Sequence, residues 1–332
     1  MVRTEEARRL SLAVLRILGV AVAYYGAAQL GLLKQLVIEG AVVTPLWPSS
    51  GIALAGLLFL GLGIWPGIAL GALFTIVTLG PVHLFDIGII AASTLAPVCA
   101  CLMLRRVDFR TELDRLRDGV ALVFLGALAG MLISATMGTG MLVIGGKLRP
   151  EGFWPTWSAW WVGDAMGVLV VTPMLLMLRR ARWPRARDLH RLPEALALLI
   201  VAVFVTPLAT MSSLSLLFLV FPVLIWAALR FQLPGSAPYA LFVSVLAISE
   251  ATDFVGAFAH HTLIERMVSL QALNGSVALT SLLLAAIVTE QRNIRLKIEE
   301  VCVELADLVA HLSPAEPPKR WRPDRGKKPR GG

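Results

Sequence analysis

The chain has 332 residues, 57% of them hydrophobic and 16% charged, with a mean hydropathy of +0.76 and a formal charge of +8. A soluble domain is nearer half apolar and a quarter charged, so this composition excludes an ordinary soluble fold and indicates a multi-pass membrane protein. The basic residues lie between apolar runs and form no single exposed surface, which makes the lipid bilayer, and no nucleic acid, the expected partner.

At the start, Arg3, Arg8, Arg9 and Arg16 precede or interrupt an apolar run longer than a signal-peptide core, with no small-residue cleavage site after it. The expectation is an uncleaved anchor. A bilayer core of roughly 30 Å needs about 20 apolar helical residues. On that measure, eight spans are predicted near residues 10–33, 83–104, 118–145, 156–178, 193–211, 213–230, 236–256 and 268–290. Between the first two lies a near-repeat, Trp47-Pro48-Ser49-Ser50-Gly51-Ile52-Ala53-Leu54 and then Trp65-Pro66-Gly67-Ile68-Ala69-Leu70. Each Pro suits a first helical turn, where its missing N–H costs nothing. The two helices so started, about 49–62 and 66–80, are each roughly 21 Å long at about 1.5 Å per residue. They are either two thin, tightly packed crossings or a re-entrant hairpin buried in protein.

Both alternatives cross the membrane an even number of times, and the basic residues favour an even count. With the N-terminus in the cytoplasm, only Lys34, Lys147, Arg149 and Arg266 of the 30 Lys and Arg fall on the outer side. The predicted fold is therefore an all-α integral membrane protein. It is a polytopic bundle of eight long helices plus a short pair, ten if both cross, with both termini cytoplasmic.

After the last span, Ile294, Ile298, Val301, Leu305, Leu308 and Leu312 recur at heptad spacing, with Arg295, Lys297, Glu299 and Glu300 off the seam. Two readings fit residues 293–312: a short coiled coil joining two copies of the chain, or an amphipathic helix on the membrane or against cytoplasmic loops. Under three heptads is marginal alone. Residues 313–332 are Pro-rich and basic, and are expected to be a disordered tail able to touch anionic lipid.

The stretch most in need of a chemical reason is Trp160-Trp161-Val162-Gly163-Asp164-Ala165-Met166-Gly167, which puts a carboxylate inside an apolar span. Trp157, Trp161 and Asp164 fall on one helix face, and Gly163 and Gly167 form a small-xxx-small pair that admits a close neighbour. One reading is an aromatic-walled, negative pocket open to the outside and suited to a cation. The other is an interfacial tryptophan belt with Asp164 paired to a neighbouring helix. Trp47, Ser49 and Ser50, then His83 and Asp86, then Glu250 and Asp253 are expected at the same outer level. Adjacent His260 and His261 lack the i, i+4 spacing of a helical zinc pair, and Cys99, Cys101 and Cys302 show no metal or disulfide spacing. No hydrolase, metalloprotease or phosphate-loop motif is present, and Gly138, Gly140, Gly145 and Gly146 read as packing and turn residues. A non-enzyme with no metal and no cofactor is expected.

Together these blocks resemble the bacterial membrane-associated sensor domain of the first type. The resemblance is carried by Pro45 to Ala53, by Trp65-Pro66-Gly67, and by Trp160 to Gly167 with Thr172-Pro173. Phe221-Pro222 through Trp226 to Arg230-Phe231, and Ala278-Leu279-Thr280 through Thr289-Glu290-Gln291-Arg292, complete it in order. It implies an integral-membrane sensor over residues 1–292 that hands a signal through its last helix to a histidine kinase, diguanylate cyclase or response regulator, within two-component or cyclic-di-GMP signalling in the bacterial inner membrane. Residues 293–332 are too few to encode such an output domain, so a stand-alone sensor with a separate partner, a truncated relative or a member with another task is expected. The candidate ligand-binding or signalling residues are Trp47, Pro48, Ser49, Ser50, Asp86, Trp157, Trp160, Trp161, Asp164, Arg230 and Glu250. The alternative function is a transporter or permease for a small, cationic solute, for which the short helix pair would supply the broken helices.

Overall fold

The computed structural model describes residues 2–38, 41–180, 191–212, 216–253 and 263–312. The tail from Ser313, the His260–His261 pair and the side chains of Asp253 and Leu312 lie outside the described residues. Ten helices are present among the described residues. They are α1 (Val2–Leu32), α2 (Pro48–Leu60), α3 (Trp65–Leu79), α4 (Leu84–Arg106), α5 (Leu116–Ile144), α6 (Phe153 to Arg180), α7 (Leu192–Met211), α8 (Val220–Phe231), α9 (Leu233–Asp253) and α10 (Leu263–Leu312). Among the described residues the one sheet is a hairpin that the sequence did not announce, β1 (Leu36–Ile38) against β2 (Ala41–Val43), antiparallel with Leu36 opposite Val43.

Eight helices are long and apolar enough to cross a membrane, which makes the chain a multi-pass integral membrane protein. The set differs from the expected eight. Leu62–Leu79, joined to α3 by a 3₁₀ turn, reaches 18 residues and joins the long class, whereas Leu217–Phe231, expected at full length, falls in the shorter one beside Pro48–Leu60. The total of ten is unchanged. The large apolar side chains point outward: Leu33, Leu84, Ile144 and Phe204 are 73–85% exposed, as lipid-facing residues should be. Lipid gives apolar helices no hydrophobic reason to associate, so the bundle is held by close packing of small residues. Gly130 sits against Ala100, Gly88 against Met141 and Gly145 against Phe85, which join α4 to α5. Gly67 against Ile17 and Gly71 against Tyr24 join α1 to α3.

The helix pair α2–α3 follows from this packing. α2 begins beside Gly163 of α6 and ends beside Arg179, whose guanidinium carbon lies 4.5 Å from the Phe59 ring centroid. The C-terminal end of α2 therefore lies beside the end of α6.

Two stretches are wound as π-helix, Leu122–Ala129 in α5 and Gly167–Val171 in α6, and they pack against each other. Such windings leave carbonyls off the α-helical ladder and recur at functional sites. Here Trp161 Nε1 donates to the Leu128 carbonyl at 2.8 Å.

Residues from Gln291 on form a separate unit. In it, Ile294, Ile298, Val301, Leu305 and Leu308 of α10 are 52–58% exposed.

Candidate functional site

The site is built where non-helical chain enters the bundle. Residues Thr44 to Leu46 are buried, and backbone buried away from water must find partners inside the protein. The Trp47 N–H donates to the Gly163 carbonyl at 2.9 Å, and Gln271 Nε2 of α10 donates to the Pro45 carbonyl at 3.1 Å. This approach explains the glycines of α6. A Cβ on Gly163 would strike the Thr44 carbonyl, and one on Gly167 would strike the Trp47 carbonyl. The small-xxx-small pair thus admits an irregular segment and the first turn of α2, where a neighbouring helix was expected.

Trp47 caps α2 in an extended conformation and Pro48 occupies the first turn. This places Ser49 and Ser50 inside the protein. Ser49 Oγ donates to the Tyr24 carbonyl of α1 at 2.9 Å, and Ser50 Oγ donates to Asp164 Oδ1 at 2.6 Å. Thr172 Oγ1 closes the joint by donating to the Gly51 carbonyl at 3.2 Å. Asp164, 2% exposed, also lies within side-chain hydrogen-bonding reach of Ser134 and Trp160. The first turn of α2 faces this carboxylate with its positive end.

Above Asp164 opens a cavity of about 340 Å³. Tyr24, Trp47, Trp160, Gly163 and Asp164 line its buried end. Its apolar walls include Ile76, Leu79, Ile89 and Leu142, and its rim includes His83, Phe85, Asp86 and Lys147. The Tyr24 hydroxyl lies within reach of Trp47 and Ser93.

Four of the expected site residues, Trp47, Asp86, Trp160 and Asp164, line this cavity, and Ser50 holds its carboxylate. Pro48 and Ser49 form the scaffold behind it. The aromatic wall differs from the expected one. Trp157 and Trp161 stack on each other at 5.6 Å and turn toward α5, because each indole N–H finds an acceptor there: Thr136 Oγ1 for Trp157 and the Leu128 carbonyl for Trp161. The face carrying Asp164 is shared with Trp160 instead.

Asp86 has a structural duty, accepting from the His83 N–H at 2.7 Å to cap α4. Arg230 lies apart from the cavity, paired through two nitrogens with Glu194 of α7. Glu250, half-buried on α9, is likewise outside it. Tyr24, Thr44, Ser93, Ser134, Lys147 and Gln271 were not singled out by pattern. Their signal was a polar group in an apolar stretch or at its edge with no capping or turn role.

The profile of MASE1, membrane-associated sensor domain 1, matches residues 17–292. Comparison with curated proteins and with solved structures gives no match. The matched region contains every side chain that builds the cavity, its carboxylate and the Gln271 contact. The chain belongs to the MASE1 family, a multi-pass membrane sensory domain.

Proposed function

We propose that this protein is a non-enzymatic membrane sensor or signalling adaptor. It binds a small ligand in the cavity above Asp164 and passes the bound state through α10 to a partner protein. The observation that carries this reading is the hydrogen bond from Gln271 to the Pro45 carbonyl. Pro45 precedes Trp47, which lines the cavity, and Gln271 lies on the helix that continues past residue 291. A ligand that favours one position of the Thr44–Trp47 segment therefore favours one position of α10, and its differential affinity sets the size of the shift.

In the topology favoured by the basic residues, both termini lie in the cytoplasm of the bacterial inner membrane and the cavity faces outward. The output is then a histidine kinase, a diguanylate cyclase or a response regulator. Two copies of the sensor would pair through the exposed seam from Ile294 to Leu308.

The test is a reporter fused after Leu312, read in cells for the wild type, Asp164→Asn and Gln271→Leu. Loss of the response in variants that insert and fold normally is expected. An unchanged response in both would overturn the reading. The permease alternative draws on the two π-helical interruptions beside the buried carboxylate. It requires net solute uptake into proteoliposomes, which a sensor does not give.

A further inference from the structure

We infer that the ligand of this cavity is a small organic ammonium ion with an apolar body, its cationic head seated on Asp164 between Tyr24, Trp47 and Trp160. The inference rests on the sensory reading of the same cavity and names the chemistry that it receives.

Three observations converge. Asp164 is 2% exposed and borders the cavity, and its hydrogen-bond partners, Ser50, Ser134 and Trp160, are all neutral. Among the described residues no Lys, Arg or His forms an ion pair with it; His83 pairs with Asp86, Arg115 with Asp118 and Arg230 with Glu194. A carboxylate in the hydrocarbon layer is costly unless something completes its charge, and a bound cation does so.

The neighbours then select the kind of cation. Tyr24, Trp47 and Trp160 line the same cavity as the carboxylate, and aromatic side chains hold alkylammonium groups by cation–π attraction. A hard metal ion would want a shell of several oxygen ligands instead.

The volume selects the size. About 340 Å³ is far more than a bare ion fills and lies at the small end of organic ligand pockets. The walls beyond the head, Ile76, Leu79 and Leu142 among them, suit a hydrocarbon or aromatic body. Lys147 stands at the exposed mouth, where water and salt screen its repulsion within about 8 Å.

The experiment uses the full chain in lipid nanodiscs, with calorimetric titration of choline and phenethylammonium against two uncharged counterparts, the neutral carbon isostere of choline and phenethyl alcohol. At least one ammonium probe should bind about tenfold or more tighter than its neutral counterpart, and Asp164→Asn should erase that preference. Trp160→Leu should reduce it, and decides the matter if Asp164→Asn fails to insert. Equal binding of charged and neutral probes, no binding of either ammonium, or a preference surviving in the variants would each overturn the proposal. The same probes are applied to the reporter fusion. A neutral or anionic compound that drives the reporter, and loses its effect on Ala72→Trp at the cavity wall, refutes the ammonium class and leaves the sensor reading standing. An ammonium probe that binds through Asp164 without moving the reporter refutes the sensor reading and leaves the ligand class standing.

Discussion

Gly167 and Gly140 are both glycines inside apolar helices, and Gly167 belongs to the small-xxx-small pair with Gly163. The structure separates them sharply. A Cβ on Gly167 would overlap the Trp47 carbonyl and approach the Trp47 carbonyl carbon at 2.7 Å, whereas a Cβ on Gly140 meets nothing within 4 Å. The atoms opposing Gly167 are backbone, so no side-chain rotation relieves the clash. The Thr44–Trp47 segment must move away from α6 and stretch the Trp47-to-Gly163 hydrogen bond, which is 2.9 Å as it stands. Overpacking of this kind costs about 1–3 kcal/mol, and loss of a buried backbone hydrogen bond adds about 1–3 kcal/mol, so Gly167→Ala should cost roughly 2–6 kcal/mol. Gly140→Ala should be neutral or gain up to about 1 kcal/mol from helix propensity. Reversible unfolding of the purified variants in mixed micelles, followed by tryptophan fluorescence, measures both. Equal stability of the two variants would refute the close approach of the Trp47 segment to α6, and with it the geometry of the cavity floor.

Trp160 and Trp161 should part company in the same way. Trp161→Phe removes the indole donor from the Leu128 carbonyl and should cost about 1 kcal/mol of stability while leaving ligand affinity unchanged in titration. Trp160→Leu should weaken ligand binding, because this ring lines the cavity, and should also cost stability through the lost contact with Asp164. On the seam, replacing Ile298 and Leu305 together by Asn should abolish self-association of the full-length protein, read by light scattering or disulfide trapping in the membrane, with binding in the cavity retained. A dimer that survives would locate the contact elsewhere.

The bundle was legible because apolar length is a strong signal and the charge of the loops limits the topology. The helix pair α2–α3 shows where that signal weakens. Its helices of 13 and 15 residues are short for a crossing and fit both a thin packed pair and a buried hairpin. The site was half legible. Asp164 and Trp47 announce themselves as a charge and an aromatic–Pro pair in apolar surroundings. The partition of the tryptophans did not, because Trp157, Trp160 and Trp161 differ by modest rotations about one helix, and their destinations depend on acceptors in α5 far away in sequence. The Gly163 and Gly167 spacing correctly indicated a close neighbour. It left the neighbour's nature open, since an irregular segment and a helix both need a surface without Cβ atoms.

The polar groups of α10 bear on whether this arrangement is built for stability or for change. Gln271 Nε2 holds the Pro45 carbonyl, yet among the described residues its own Oε1 meets no protein partner, and neither does either amide atom of Asn274, three residues on and fully buried. Amide groups left unpaired in an apolar interior cost about 1–3 kcal/mol each, and an apolar residue of similar shape removes the penalty. Asn274→Leu should therefore stabilise the protein by about 1–3 kcal/mol in micelle unfolding. Suppose that α10 switches to a second arrangement in which Asn274 is satisfied. In that case the stabilised variant should hold the reporter in one state whether or not a ligand is added. A variant that gains stability and still responds normally would refute the switching role, and one that loses stability would show that Asn274 is already satisfied where it stands.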